Sequence, residues 1–291
     1  MLKRFNNFVK LVEVGPRDGL QSIGIHVPTK TKIKYIDKLS EALLPEIEIT
    51  GFVHPDWVPQ FADSSEITKK INYNNSVTYT ALVPNLKGAE RALKHGLNSI
   101  SVITAVSETF NKKNTNCTIT ESLERISNII EFSKNNNIRI RAYISTCWDC
   151  PYEGFIKPEN VKILLDQLYR FDFIHEFVLS DTIGKAKISH VQSLLDMLFT
   201  EYNATDFALH FHDTFGNAVE NLKCGLNNGI RTFDSSTGGI GGCPYAPGAK
   251  GNISTQKAVD IIEGEGFITG INREKLNDTG LFINSALEQL K

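Results

Sequence analysis

The sequence has few of the features that mark nucleic-acid-binding or membrane-spanning proteins. Its formal net charge is −2 over 291 residues, which provides no electrostatic attraction for nucleic acid or for an anionic membrane surface. No apolar run approaches the roughly 20 residues that a membrane-spanning helix needs. We therefore expect neither a nucleic-acid partner nor a membrane as partner of this chain.

Cysteine is scarce, and an apolar leader segment is missing. Of the five cysteines only Cys147 and Cys150 form a C-x-x-C pair, and no second pair completes a four-ligand zinc site. We interpret these two as structural thiols, with redox control as the alternative. The first ten residues lack the apolar core of a secretion signal. These features predict a protein of a reducing compartment, the cytoplasm.

Short β-branched or aromatic runs alternate with longer amphipathic segments along the whole chain. Eight such strand–helix units at this length predict an α/β fold, a closed (β/α)8 TIM barrel in a single domain over 1–291. Segments Lys257–Gly264 and Asn272–Leu290 add C-terminal helices. The runner-up is an open doubly wound sheet, but its glycine motif is missing after the first strand. The predicted strands are Leu11–Val14, Glu46–Thr50, Val77–Val83, Ser99–Val106, Ile138–Thr146, Glu176–Ser180, Phe207–His212 and Arg231–Ser235.

Polar residues gather at the predicted C-terminal ends of the strands, where such barrels carry their chemistry. The sequence H-F-H puts His210 and His212 on one face of the seventh strand, because side chains alternate along a strand. An isolated pair of this kind is commonly a packing or surface accident. Here Asp18 follows the first strand at the same barrel end, and Asn252 closes a glycine-rich loop at about 236–252. Two imidazoles, a carboxylate and an amide oxygen favour Mg²⁺ or Mn²⁺.

The neighbouring groups suit the cleavage of a carbon–carbon bond. A divalent cation with open positions acidifies a substrate hydroxyl, and an alkoxide β to a carbonyl expels an enolate. Arg17 is placed to hold the enolate charge, and the thiol of Cys243, in the glycine-rich loop, is placed to move a proton. This chemistry is a retro-aldol cleavage, and it describes the reverse condensation equally well.

A series of motifs, in order along nearly the whole chain, resembles the 3-hydroxy-3-methylglutaryl-CoA lyase family. It includes V-E-V-G-P-R-D-G-L-Q at Val12–Gln21, H-F-H-D-T-F-G at His210–Gly216 and the glycine loop G-G-C-P-Y-A-P-G-A-K-G-N. The resemblance implies a cation-dependent lyase that cleaves 3-hydroxy-3-methylglutaryl-CoA to acetyl-CoA and acetoacetate, as in leucine degradation and ketone-body formation.

The resemblance also implies roles for individual residues. It implies four metal ligands: Asp18, His210, His212 and Asn252. It implies five residues that bind substrate or take part in catalysis: Arg17, Gln21, Glu48, Asp181 and Cys243. Glu13 is expected to orient Arg17. The chain departs from the family pattern in three places. Gln256 replaces a usual acidic residue, Ser180 replaces a usual glycine, and the family signature S-V-A-G-L-G-G-C reads S-T-G-G-I-G-G-C.

Other functions remain open at this stage. The alternatives are a lyase for a longer-chain 3-hydroxyglutaryl-CoA, a Claisen-type acyl-CoA synthase of the same superfamily, and an inactive metal-binding barrel. The synthases commonly carry an additional C-terminal regulatory region, which this chain is too short to hold. The resemblance further implies an acyl-CoA substrate and a homodimer. Because a mitochondrial leader and a peroxisomal address are missing, we expect a bacterial cytoplasmic enzyme.

Overall fold

Eight parallel strands close into a barrel in the computed structural model, which describes residues 7–243 and 246–290, without the side chains of 242–250. Each strand pairs with the next along the chain, and the last returns to the first. The predicted closed barrel is confirmed, and the open doubly wound sheet is wrong. The strands are β1 (Lys10–Glu13), β2 (Glu46–Gly51), β3 (Thr78–Leu82), β4 (Ser99–Ala105), β5 (Arg139–Ser145), β6 (Glu176–Asp181), β7 (Phe207–Phe211) and β8 (Thr232–Ser235).

Helices follow the strands and cover the outside of the barrel. Helix α5 begins with a capping box: the Thr118 hydroxyl accepts from the Glu121 amide, and the Glu121 carboxylate accepts from the Thr118 amide. Two helices extend the chain beyond the eighth unit, as predicted. The helices are α1 (Thr29–Glu41), α2 (Ser64–Lys70), α3 (Leu86–Lys94), α4 (Glu108–Thr115), α5 (Ile119–Asn136), α6 (Pro158–Tyr169), α7 (Ile188–Leu198), α8 (Ala218–Asn227), α9 (Thr255–Gly264) and α10 (Arg273–Glu288).

Sequence periodicity missed the short elements. Helix α4 buries only Phe110 and Asn111, so it has no apolar stripe for a helical period to reveal. It is held by its N-cap, where the Ser107 hydroxyl accepts from the Phe110 amide. The other missed elements are helix α2, a π-helical turn at Gly15–Gly19 and two short hairpins after β5 and β8.

Charged side chains occupy the barrel interior, whereas the apolar core lies between the strands and the helices. Arg141, on β5, is fully buried and donates to Glu176 on β6 and to Asp234 on β8. Lys10 and Arg139 bind Glu176 from the rim where the strands begin. A chain of ion pairs therefore runs along the inside of the barrel toward the ends of β7 and β8.

The thiols of the C-x-x-C pair are buried and hydrogen-bonded. Cys147 donates to the Ile144 carbonyl at 3.0 Å, and Cys150 donates to the Ser107 hydroxyl at 3.0 Å. Burial raises the pKa of Cys147 above its ordinary value, which disfavours the reactive thiolate. These contacts favour the structural interpretation of the pair. Among the helices that the structure describes, none combines the length and apolarity of a membrane span.

Candidate active site and metal centre

The site begins in the tight turn that follows β1. The chain forms one turn of π-helix at Gly15–Gly19, a geometry that recurs at functional sites. Any side chain at Gly15 would collide with the hydroxyl of Tyr35, so the turn requires glycine there. The turn carries Arg17 and Asp18 to the mouth of the barrel, where β7 also ends.

The four predicted metal ligands lie together at this mouth. Asp18, His210 and His212 each offer a ligand atom, and these atoms lie within 4.8 Å of one another. The Asn252 amide nitrogen donates to Asp18 Oδ2 at 2.8 Å, and the Asn252 backbone pairs with that of His212. Ligand atoms on opposite sides of one divalent cation are about 4–5 Å apart. Both the spacing and the donor types therefore fit a single bound cation.

Arg17 is fixed beside these ligands by two carboxylates. Its Nε donates to Glu48 Oε2 at 2.5 Å, and its Nη1 donates to Asp18 Oδ1 at 2.7 Å. Burial opposes the charged form, but the charges of Glu48 and Asp18 outweigh it and raise the pKa of Arg17 further above its ordinary value. Glu48 also accepts from the Ser101 hydroxyl. The guanidinium is thus a positioned, permanent cation next to the ligand cluster.

Glu13 has partners other than the expected Arg17. Its carboxylate accepts from the Gly15 amide at 2.9 Å, from the Thr237 amide and hydroxyl, and from the Thr255 hydroxyl at 2.7 Å. Burial raises the pKa of Glu13. Glu13 therefore connects the turn after β1 to both ends of the glycine-rich loop. The guanidinium of Arg17 is held instead by Glu48, on β2.

The described hydrogen bonds of the Asp181 carboxylate lie in the loop after β6, and its catalytic role remains a prediction. It is the register partner of Phe211, whereas Ser180 is the partner of His210, and partners on parallel strands share a face of the sheet. The register therefore places Asp181 on the face opposite to that of His210, yet its carboxylate is close enough to His212 for their charges to interact. Its two carboxylate oxygens accept from the backbone amides at 185 and 186, at 3.1 and 3.0 Å. Burial raises its pKa to about 7. This placement indicates support of the loop after β6.

Two further predicted residues are not brought into the ligand cluster by the described contacts. Gln21 is exposed just after the turn that holds Arg17. The side chain of Cys243 lies outside the described residues; its backbone, in Gly242–Cys243, pairs antiparallel with Ala246–Lys250. The roles of both residues remain predictions.

The sequence analysis missed the residues that support His210 from inside the barrel. Asp234 Oδ2 lies 3.1 Å from His210 Nδ1, and Arg141 and Tyr143 both donate to Asp234 at 2.8 Å. One signal was available: the R-I-R-A-Y run of β5 alternates polar and apolar residues, which puts Arg139, Arg141 and Tyr143 on one face. Polar residues on the inner face of a barrel strand indicate a buried network.

Comparison with known proteins agrees with this geometry. The family model described as HMGL-like matches residues 8–283. The chain belongs to the HMGL-like family. Its match runs from β1 into α10, so the barrel, the turn after β1 and the glycine-rich loop all fall inside the HMGL-like region.

Relatives of the HMGL-like chain match it over nearly their full length. The mitochondrial hydroxymethylglutaryl-CoA lyase of Bos taurus is 44% identical over 98% of this chain and 87% of its own. The crystal structure of the HMG-CoA lyase from Brucella melitensis has a TM-score of 0.94 and 42% identity, covering 97% of this chain and 99% of that one. An HMG-CoA lyase from Acinetobacter baumannii, in complex with coenzyme A and 3-methylmalate, has a TM-score of 0.92 and 33% identity, covering 98% and 92%.

The Gln256 departure in this HMGL-like chain has a local explanation. Gln256 accepts from the Gly238 amide at 3.1 Å and donates to the Leu276 carbonyl at 3.2 Å. A carboxylate accepts hydrogen bonds but cannot donate the second one. The neutral amide thus ties the start of the glycine-rich loop to α10, which an ionised acidic residue would not do.

Proposed function

We propose that this protein is a divalent-cation-dependent lyase that cleaves 3-hydroxy-3-methylglutaryl-CoA to acetyl-CoA and acetoacetate. The observation that carries the proposal is the buried guanidinium of Arg17, which lies beside the cluster of Asp18, His210 and His212 at one barrel mouth. The HMGL-like family match and the relatives named as lyases of this substrate support it.

Asp18, His210, His212 and Asn252 would hold the cation, and their nitrogen and oxygen donors suit Mg²⁺ or Mn²⁺. When bound, the cation supplies Lewis acidity toward the substrate oxygens. The exposed Gln21, beyond the turn, suits a contact with the acyl-CoA.

Arg17 serves the carbon–carbon bond cleavage. Transfer of the hydroxyl proton to a base, for which Asp181 is the candidate, lets the bond between the hydroxyl-bearing carbon and the methylene carbon next to the thioester break. The electron pair of that bond passes to the acetyl-CoA enolate, and the hydroxyl-bearing carbon becomes the ketone of acetoacetate. A positioned cation stabilises that negative charge more in the transition state than in the ground state. Glu48 holds the guanidinium in place. Cys243 would return a proton to the enolate carbon, a role taken from the family resemblance.

Further features of the proposal concern the whole protein. Residues 1–291 form one catalytic domain, with the loop at about 236–252 covering the substrate. We propose a homodimer in a bacterial cytoplasm, acting in leucine degradation or ketone-body formation. The four described cysteines, all buried free thiols, suit a reducing compartment. Light scattering on the purified chain tests the dimer.

The deciding experiment is an assay of the purified full-length protein. With 3-hydroxy-3-methylglutaryl-CoA and Mg²⁺ or Mn²⁺, acetyl-CoA and acetoacetate should form in equal amounts. Arg17→Ala should lower kcat by about 10²–10³-fold, as loss of one charge-stabilising donor does. Arg273→Ala, on the exposed side of α10, is the matched control and should retain full activity.

Two outcomes of this assay would contradict the proposal. If only condensation of acetyl-CoA with a keto acid is observed, the protein is a synthase. If a longer-chain 3-hydroxyglutaryl-CoA is cleaved with a higher kcat/KM, that compound is the substrate.

A further inference from the structure

His210 has a buried carboxylate on the side of the ring that faces strand β8. The strands β7 and β8 pair in parallel with Asp234 opposite His210, so both side chains enter the barrel on the same face. Asp234 Oδ2 lies 3.1 Å from His210 Nδ1. The Asp234 side chain is fully shielded from solvent, so this contact is not weakened by competing water.

Asp234 is itself held from two further directions. Arg141 Nη2 donates to Oδ1 at 2.8 Å, and the Tyr143 hydroxyl donates to Oδ2 at 2.8 Å. The Tyr143 ring also packs edge-on against the His210 ring at 89°. Two donors thus orient the carboxylate, and its Oδ2 faces the imidazole nitrogen as a hydrogen-bond acceptor.

An acceptor at Nδ1 determines which nitrogen of His210 binds a metal. A neutral imidazole carries its proton on one nitrogen and its lone pair on the other. With the proton on Nδ1 and directed at Asp234, the lone pair is on Nε2. A carboxylate partner of this kind also makes the ring more basic and fixes its orientation.

We infer that Asp234 is a positioning residue for the metal centre, and that it directs the Nε2 lone pair of His210 toward the ligand cluster with Asp18 and His212. The inference rests on the proposed function, because it takes that cluster to be a cation site. Asp234 itself does not bind the cation in this assignment. Arg141 fixes the carboxylate in place through its hydrogen bond to Oδ1.

The alternative is that Asp234 serves only as a counterion for the buried Arg141. Glu176 provides the matched control, because it is also a buried carboxylate that accepts from Arg141. Its other partners, Lys10 and Arg139, lie away from His210, at the opposite end of the barrel. Asp234→Asn and Glu176→Gln each remove one negative charge that lies next to Arg141. Only Asp234→Asn also changes the hydrogen-bond partner of the His210 imidazole.

The test is Mn²⁺ binding to the full-length protein without substrate, measured by the electron paramagnetic resonance of the free ion. Asp234→Asn should weaken binding by about 10–100-fold, the usual effect of losing such a supporting group. Glu176→Gln should change it by less than about twofold, although both variants lower Tm. Equal weakening in the two variants, or unchanged binding in Asp234→Asn, would overturn the inference.

Nitrogen-15 NMR of the histidines in the metal-free protein separates this inference from the proposed function. The wild type should show His210 protonated at Nδ1, and Asp234→Asn should show a mixture of tautomers. If the wild type binds no Mn²⁺, the proposed metal site is wrong. The NMR result still decides whether Asp234 fixes the tautomer of His210. A wild-type His210 protonated at Nε2 would overturn the inference even if Mn²⁺ binds.

Discussion

At the scale of single residues, the site depends on carboxylates that position other groups. Glu48 and Asp18 hold Arg17 from two sides, and Asp234 holds His210. Each of these carboxylates is buried or partly buried, where an ion pair is weakened little by solvent screening. Removing one of these carboxylates leaves its partner side chain present but no longer fixed. The expected effect is a change in the position of Arg17 or His210.

Replacement of Glu48 by glutamine tests this positioning. Glu48→Gln keeps an oxygen acceptor for Arg17 but removes the negative charge, so the guanidinium should shift and kcat should fall by about 10–100-fold. Steady-state cleavage of 3-hydroxy-3-methylglutaryl-CoA measures the change. Ser101→Ala removes another partner of Glu48 without touching Arg17, and we expect it to lower kcat by less than about threefold. A larger loss in Ser101→Ala than in Glu48→Gln would contradict this role.

At the scale of the element, the π-helical turn and the ends of the glycine-rich loop form one supported unit. Glu13 accepts a hydrogen bond from the backbone of Gly15 and also binds Thr237, at the start of the loop, and Thr255, just after its end. A change in the conformation of the turn should therefore shift both the metal ligands and the glycine-rich loop.

Gly15 is the position in this turn where an added side chain would collide most severely. A Cβ in Gly15→Ala would collide with the Tyr35 hydroxyl and the Glu13 carboxylate, so the turn must move and carry Arg17 with it. We expect a stability loss of about 1–3 kcal/mol in urea unfolding and at least about a 10-fold fall in kcat/KM. Gly24→Ala is the control, because its Cβ would meet no atom within 4 Å. Equal effects of the two substitutions would show that steric fit at the turn is not the cause.

The link from the loop to α10 is testable at Gln256. Gln256→Glu restores the acidic residue usual in the family, but it loses the donor to the Leu276 carbonyl. Urea unfolding should show a loss of about 1–2 kcal/mol, the cost of an unsatisfied, partly buried acceptor. Gln289→Glu, exposed at the end of α10, should be neutral within error. An increase in stability for Gln256→Glu would indicate that the family residue suits this site as well.

At the scale of the whole molecule, the barrel could be predicted because its signal is local. Each strand was expected within one residue of its observed bounds, since alternation and flanking turns are encoded in short segments. Asp18, His210 and His212 could be placed at one mouth because all strands of such a barrel end there. Asp234 and Arg141 could not be paired, because their contact depends on the register of strands far apart in sequence. The face of the sheet on which Asp181 lies could not be predicted for a related reason, since a shift of one residue reverses the face.

The ion pairs inside the barrel predict a pH dependence of its stability. Glu176 is bound by Arg141, Lys10 and Arg139. Burial favours its neutral form, but these cations outweigh burial and lower its pKa from 4.5 to about 2. A carboxylate whose pKa is lowered by folding contributes stability above its unfolded pKa, and that contribution disappears as the pH falls toward the folded pKa.

The free energy of unfolding of the wild type should therefore exceed that of Glu176→Gln by about 1–3 kcal/mol near pH 7. The difference should shrink as the pH falls from about 4.5 toward 2. Urea unfolding of both proteins across this range measures it, and Glu131→Gln, an exposed position on α5, controls for the loss of one negative charge. A constant difference between wild type and Glu176→Gln would mean that the ionised carboxylate contributes nothing. The constant difference would then reflect the fit and hydrogen bonds of the glutamate side chain, which glutamine would not reproduce.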